Sequence, residues 1–257
     1  MERQEAWQQP VSRRAFLAGT GGFLAGAALG SRLLGAVGLA APAQPDVPAW
    51  PWTYVPLDPE VVRRKGYDGF MEGGCCYGVA WAILSELQEK VGHPFTGVPA
   101  DMFRYGAGGA AGWGTLCGAL NGAAAMINLV TPQSDCTPLV NELFGWYCDT
   151  ALPTEKSNGF GPANVPSVAG SPLCHISLSR WAEAEGTKVT ERKQRCAKLT
   201  GDVAARAVEL LNAWHAGQFV PAYVPAESVG ECMTCHGPDG LADTHGKMDC
   251  VQCHEPH

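Results

Sequence analysis

Apolar residues recur every three or four positions along much of the chain, which is the spacing of one face of an α-helix. The predicted helices cover residues 74–91, 115–131, 139–148, 173–185 and 190–216, and Gly or Pro follows most of them. No stretch alternates between apolar and polar residues for long enough to predict a strand. The pattern therefore predicts an all-α body.

Two segments beside this body differ from it in composition. Residues 43–59 are rich in Pro and aromatic residues, and the spacing of the prolines excludes a helix there. After about residue 221 the helical pattern gives way to Gly, Pro, Asp, Cys and His, which can bury little apolar surface. We therefore predict a helical cysteine-rich domain at residues 44–220 and a short irregular segment at residues 221–257 that a cofactor organises.

The N-terminal residues 1–43 have the pattern of an export signal. Arg13 and Arg14 precede a Gly- and Ala-rich apolar stretch, and residues 41–43 fit a small-residue cleavage site. Paired arginines in this position are typical of twin-arginine signal peptides. A retained membrane anchor is the alternative, although Arg32 interrupts the stretch. We expect a cleaved signal peptide, a periplasmic location and no membrane association after cleavage.

The chain is acidic, with 18 basic and 25 acidic residues and a net charge of −7. Residues 1–43 hold four of the basic and two of the acidic residues, so the chain without them carries about −9. A negative charge of this size disfavours nucleic acid and anionic membranes as partners. It suits the basic face of a redox partner protein.

One cysteine motif occurs twice within the last 26 residues, as Cys232-Met-Thr-Cys235-His236 and as Cys250-Val-Gln-Cys253-His254. In Cys-x-x-Cys-His, the two thiols bond covalently to the vinyl groups of a haem, and the histidine becomes the proximal ligand of its iron. The sequence therefore predicts two haems c per chain, with His236 and His254 as the proximal ligands.

The same four cysteines also have roughly the spacing of a two-knuckle zinc site. Zinc does not require a histidine after the second cysteine of each pair, whereas haem attachment does. Covalent haem attachment also takes place outside the bacterial cytoplasm, where the predicted export signal would send the chain. Haem is therefore the favoured cofactor.

Each haem iron needs a sixth ligand or keeps an open position. His245, five residues before Cys250, and His215, at the end of the last predicted helix, are the leading candidates. His257 and then His175 follow, and a solvated helix end is the alternative for His215. Two histidines on each iron would favour an electron carrier. An open iron would favour a multihaem reductase acting on a small inorganic substrate.

Seven further cysteines lie in the helical body: Cys75, Cys76, Cys117, Cys136, Cys148, Cys174 and Cys196. Disulfides are common in exported proteins, but seven is an odd number and adjacent cysteines do not easily form a relaxed bridge. Twin-arginine export carries folded proteins, which suits a cofactor inserted before export. We expect an iron–sulfur centre on three or four of these cysteines, with buried thiols or disulfides as the alternative.

Three segments carry a resemblance to known proteins: Gly74-Cys75-Cys76-Tyr77-Gly78, Gly114-Thr115-Leu116-Cys117-Gly118 and Cys196-Ala-Lys-Leu199. They are similar to the C-GCAxxG-C-C group of cysteine-rich redox proteins. With a twin-arginine leader before this body and two haem motifs after it, the chain resembles the split-Soret cytochrome c family.

The resemblance implies a homodimer whose haems stack in pairs, with some axial histidines supplied by the partner chain. It also implies a [2Fe–2S] cluster in each body, bound by Cys75 or Cys76 together with Cys117, Cys174 and Cys196. His175, next to Cys174, could serve that cluster instead of a haem. The function expected is electron transfer rather than catalysis. A thiol redox protein ranks last, because no Cys-x-x-Cys lies outside the haem motifs.

Overall fold

The computed structural model describes residues 47–241, 243–244 and 246–255. The predicted signal peptide and two of the candidate haem ligands, His245 and His257, lie outside these ranges. The described part is mostly helical, which confirms the all-α prediction. Its helices are α1 (Pro59–Lys90), α2 (Gly118–Val130), α3 (Gln133–Asp149), α4 (Glu155–Asn158), α5 (Cys174–Glu185), α6 (Lys193–His215) and α7 (Glu227–His236).

Short elements connect these helices. Strands β1 (Ala151–Leu152) and β2 (Ser167–Val168) form one antiparallel pair. Four 3-10 helices lie at Phe95–Gly97, Ala100–Gly106, Val189–Glu191 and Cys250–Gln252. Within the described ranges, no helix combines the length and the apolar character needed to cross a membrane.

Helix α1 begins well before residue 74, where the prediction placed its start. Asp58 caps it, since its carboxylate accepts a hydrogen bond from the Glu60 backbone N–H at 2.8 Å, and Pro59 suits the first helical position. The helix is kinked at Gly74, whose φ of 83° lies in the left-handed region that favours glycine. The predicted helix is therefore only the second half of α1, which begins at Cys75.

Two other helices differ from the prediction. Helix α3 begins at Gln133 and contains Pro138, whereas the pattern placed its start after that proline. Helix α7 lies in the C-terminal segment, which was predicted to be irregular. The segment has too few apolar residues for the helical spacing to stand out, and its buried residue in α7 is Val229.

The core forms where α1 lies along α6. A Cβ placed on Gly66 of α1 would come within 3.0 Å of the Cα of Gly201 in α6, so these backbones approach closely only because both residues lack a side chain. Helix α2 also packs on α1, and a Cβ on Gly122 would collide with the Cys76 carbonyl, so this approach too requires a glycine.

A buried ion pair also joins α1 to α6. The Asp202 carboxylate pairs with the Arg63 guanidinium, and both side chains are almost completely buried. The same carboxylate accepts hydrogen bonds from the Thr154 backbone N–H at 2.8 Å and from the Ser157 hydroxyl at 2.7 Å. Asp202 therefore ties α4 and the turn before it to the two longest helices.

Replacing Asp202 with Ala should lower the free energy of unfolding by about 3–5 kcal/mol, because it removes the fully buried partner of the Arg63 guanidinium, which then keeps only the exposed Glu60 carboxylate. It also leaves the Thr154 and Ser157 donors without their acceptor. Urea unfolding followed by circular dichroism measures this change.

Asp68→Ala is the matched control, since the Arg64–Asp68 pair is exposed on α1. Its loss should cost no more than about 0.5 kcal/mol. Equal effects of the two variants would contradict the role given to Asp202.

Candidate cofactor sites

Four of the seven body cysteines line one cavity of about 150 Å³: Cys75, Cys117, Cys174 and Cys196. These are the positions at which the resemblance placed an iron–sulfur centre. The first position was left open between two adjacent cysteines, and the structure separates them. Cys75 lines the cavity, whereas Cys76 is fully buried with its sulfur against Gly106.

All four cysteines lie at the start of a helix. Cys75 follows the kink of α1, Cys117 is the N-cap of α2, Cys174 is the first residue of α5, and Cys196 lies in the first turn of α6. The N-terminus of a helix carries partial positive charge, which stabilises a thiolate or another anion. Four such termini therefore favour negative charge in this cavity.

Backbone hydrogen bonds hold Cys117 and Cys174 side by side. The Cys117 N–H donates to the Pro172 carbonyl at 2.8 Å, and the Cys174 N–H donates to the Thr115 carbonyl at 2.7 Å. Leu116 forms an isolated antiparallel bridge with the residue before Cys174. The relative position of these two sulfurs is thus fixed by the backbone.

The charged residues of the cavity wall are basic. Arg192 and Arg195 line it, and the described lining residues include no Asp or Glu. Burial, together with the neighbouring Cys117 and Cys196 sulfurs, raises the pKa of Cys174 to about 12, and Arg195 opposes the rise. Burial likewise raises the pKa of Cys75 and of Cys196. Without a bound cation, these thiols keep their protons.

Arg195 lies almost completely inside the protein, and no carboxylate in the described part of the chain pairs with it. Its Nη2 donates a hydrogen bond to the Ser177 Oγ at 2.9 Å, while its Nε has no hydrogen-bond partner among the described residues. The guanidinium also reaches the Cys196 sulfur. A buried guanidinium without an acidic partner is costly, and an anionic group in the cavity would compensate it.

The cavity suits a cluster better than a single ion. Zinc bound by four thiolates at about 2.3 Å would draw their sulfurs to within about 4 Å of one another. Among the described residues, no three His, Cys, Asp or Glu side chains converge in this way. Four separated cysteines around a basic cavity match the thiolate ligands and the negative charge of an iron–sulfur cluster.

The remaining body cysteines lie elsewhere. Cys136 is buried and hydrogen-bonded to Thr131, and burial raises its pKa. Cys148 lines a second cavity, of about 270 Å³, between α3 and the C-terminal segment. No disulfide joins any of the eleven cysteines, all of which lie in the described ranges. The disulfide alternative therefore has no support in the structure.

The two Cys-x-x-Cys-His motifs lie at the surface. Helix α7 carries the first motif, and the 3-10 helix Cys250–Gln252 begins the second. Cys232 and Cys250 contact each other, whereas Cys235 and Cys253 are exposed. A two-knuckle zinc site would bring all four sulfurs together, and the described part of this segment does not.

Apolar side chains around the motifs are exposed to solvent. Leu241 is 93% exposed, Val224 is 81% exposed, and Val251 is 45% exposed. Large exposed apolar side chains of this kind mark surface that a ligand or a partner covers. The exposed thiols and this apolar surface both fit a covalently bound macrocycle.

Hydrogen bonds fasten the segment to the body. Glu142 of α3 accepts from the backbone N–H groups of Ala222 and Tyr223, and the Gln252 side chain donates to the Gly170 carbonyl at 2.8 Å. Arg180 of α5 donates to the Gln252 side chain at 3.0 Å. The segment that carries the two Cys-x-x-Cys-His motifs is therefore held against the body next to α3 and α5.

Two of the candidate haem ligands, His215 and His175, contact other groups of the protein in the structure. The His215 ring is exposed and packs edge-on against Tyr54, with the ring centres 5.8 Å apart. His175 is exposed, and its Nδ1 lies 2.9 Å from the Gly114 carbonyl oxygen. His175 is also absent from the described lining of the cysteine cavity. These contacts do not place His215 or His175 at a haem iron.

Sequence reasoning missed three polar residues beside the cysteines. Tyr147 is fully buried, its hydroxyl donates to the Ser177 Oγ at 2.8 Å, and it lines the same cavity as Cys117. Arg195 completes this group. Its position next to Cys196 was a signal in the sequence, but nothing there links Tyr147 or Ser177 to a cysteine.

Comparisons with known proteins show the family to which the chain belongs. Residues 75–210 match the family of redox-active proteins named C_GCAxxG_C_C, so the chain belongs to a redox protein family. The chain is 35% identical over 263 residues to the split-Soret cytochrome c of Desulfovibrio desulfuricans, covering 95% of this chain and 94% of that protein.

A solved structure from the same species gives the same result. It is described as a novel iron centre in the split-Soret cytochrome c, and it matches with a TM-score of 0.72 and 36% identity. The match covers 80% of this chain and 91% of that one. The chain therefore belongs to the split-Soret cytochrome c family.

Proposed function

We propose that this protein is a periplasmic electron carrier with two covalently attached haems c and one iron–sulfur centre per chain. The observation that carries the proposal is the convergence of Cys75, Cys117, Cys174 and Cys196 on one basic cavity, in a chain that ends with two haem-attachment motifs. The similar split-Soret cytochrome c with its novel iron centre supports both cofactors.

In the body, the four cysteines of the cavity would hold a [2Fe–2S] cluster. A bound cluster supplies one-electron redox chemistry, and the protein's own groups set its environment. The four helix N-termini and Arg195 favour the negative charge of the bound thiolates. Cys75, Cys117 and Cys174 are buried, which limits the contact of their sulfurs with water.

In the C-terminal segment, Cys232, Cys235, Cys250 and Cys253 would attach the haems, with His236 and His254 as proximal ligands. His245 and His215 remain the candidate distal ligands, and a partner chain would supply some of them in a homodimer. Stacking haem faces across the dimer would remove apolar surface from water, which contributes about 25 cal/mol per Å². The exposed Leu241 and Val224 side chains suit a surface that is covered in this way.

The optical spectrum of the reduced protein tests the haem part of the proposal. Stacked haems with two histidines on each iron should give a Soret band split in two and no high-spin absorption, because close porphyrins couple their transitions. A single Soret band with high-spin absorption would contradict the electron-carrier proposal. It would favour a multihaem reductase with an open iron.

Replacing Cys75 with Ala should abolish the binding of non-haem iron and acid-labile sulfide, since one of the four cavity thiols is lost. Cys76→Ala is the matched control, because this adjacent cysteine is equally inaccessible but faces away from the cavity. Iron and sulfide assays on the purified proteins measure the difference. Retention of full iron in the Cys75 variant would contradict the assignment.

The double substitution Cys232→Ala with Cys235→Ala should lower the intact mass by one haem, because only the second motif can then form covalent bonds. Mass spectrometry under denaturing conditions measures the haems that stay attached. Cys136→Ala, which removes a buried cysteine outside both motifs, should keep two haems. Two haems on the double variant would overturn the attachment sites.

A further inference from the structure

Three buried polar side chains, one of them positively charged, are joined into a path by hydrogen bonds in the wall of the cysteine cavity. The Arg195 Nη2 lies 2.9 Å from the Ser177 Oγ, which lies 2.8 Å from the Tyr147 hydroxyl oxygen. Tyr147 and Cys117 line the same cavity, and the Cys117 sulfur contributes to the raised pKa of the Tyr147 hydroxyl. All three side chains are buried, with exposures of 2%, 1% and 0% for Arg195, Ser177 and Tyr147.

The donors and acceptors of this path allow one orientation when Cys117 is a thiolate. A guanidinium only donates, so the Ser177 oxygen accepts from Arg195. A hydroxyl has one proton, which rotates freely about its C–O bond. A thiolate only accepts, so the Tyr147 proton points to Cys117 and the Ser177 proton points to Tyr147. Ser177 and Tyr147 then each accept one hydrogen bond and donate one, between a guanidinium that only donates and a thiolate that only accepts.

The unligated protein has a different arrangement. With Cys117 as a neutral thiol, the Tyr147 hydroxyl donates to Ser177. Binding of a metal removes the thiol proton, because the thiolate is the form that binds. The two hydroxyl protons can then turn without any movement of heavy atoms, since the oxygen atoms are already at hydrogen-bonding distance. The positions of the oxygen atoms therefore already suit the state in which Cys117 is a thiolate.

We infer that Arg195, Ser177 and Tyr147 form a directed chain of hydrogen bonds that ends on the Cys117 sulfur and raises the reduction potential of the centre bound there. This inference rests on the proposed iron–sulfur centre. Hydrogen bonds to the ligand sulfurs and nearby positive charge both stabilise the reduced, more negative state. The three residues are positioning residues, since they act through Cys117.

The low dielectric of the site strengthens this chain of hydrogen bonds. Hydrogen bonds in a buried chain polarise one another, and those with a charged end are stronger than neutral ones. This chain has a cation at one end and a thiolate at the other. Tyr147 is its last link, so removing the Tyr147 hydroxyl disconnects Arg195 from Cys117.

The test is the reduction potential of the non-haem centre in the purified protein with its haems attached, measured by redox titration followed by electron paramagnetic resonance. Tyr147→Phe removes one hydroxyl and keeps the ring. Its potential should move to a more negative value, and its sulfur-to-iron absorption should move to longer wavelength. Both changes follow from a thiolate that has lost a hydrogen bond.

Tyr54→Phe is the matched control. Tyr54 is also buried, and its hydroxyl donates to the Asn212 side chain at 2.8 Å, away from the cysteine cavity. This variant should keep the wild-type potential. Arg195→Gln removes the charge that starts the chain, and it should shift the potential in the same direction as Tyr147→Phe. Agreement of the two shifts supports a chain that acts as one unit.

The outcomes separate this inference from the proposed function. If the wild-type protein contains no non-haem iron, the proposed centre is wrong and the inference falls with it. If the wild-type centre is present and Tyr147→Phe leaves its potential and absorption unchanged, the inference alone is overturned. A shift of equal size in Tyr54→Phe would also overturn it, since the effect would then not depend on Cys117.

Discussion

The close packing of α1 on α6 is the constraint from which the cysteine cavity follows. Gly66 and Gly201 let the two backbones approach, and Gly78 continues the contact, since a Cβ there would come within 2.8 Å of the Thr200 side chain. Because Gly66 and Gly78 lie on either side of the kink in α1 and both meet α6 at Thr200 or Gly201, the kink before Cys75 lies close to Cys196, one turn before Thr200. Two of the four cavity cysteines are brought together in this way.

The positions of the other two cavity cysteines, Cys117 and Cys174, depend on local backbone hydrogen bonds. The sequence could predict only part of this arrangement. The helical spacing predicted the all-α body, and the cysteine pattern indicated four ligand positions. The cysteine pattern could not decide whether Cys75 or Cys76 is the first ligand. Adjacent residues on a helix point about 100° apart, so only one of the two faces the cavity, and the sequence does not show which. The choice is made by the kink at Gly74, which depends on tertiary packing against Ala107.

The first half of α1 was missed for a related reason. Its sequence includes Arg63 and several glycines, which lower the helical signal of residues 59–73. The structure buries Arg63 by pairing it with Asp202, 139 positions away in the chain. A charge that is satisfied across such a distance is invisible to a reading of local periodicity. The same holds for Tyr147 and Ser177, whose partners become neighbours only after folding.

Burial and electrostatics act against each other in the cysteine cavity. Removing thiolates from water disfavours their charged form, as the raised pKa of Cys174 shows. Helix N-termini, Arg195 and the Tyr147 hydroxyl all act in the opposite sense. Because the helix termini and the heavy atoms of these side chains are in place before any ligand binds, only hydroxyl protons need to turn when negative charge enters the site. In a low dielectric each of them has more influence than it would at the surface, so the balance at this site depends on few residues.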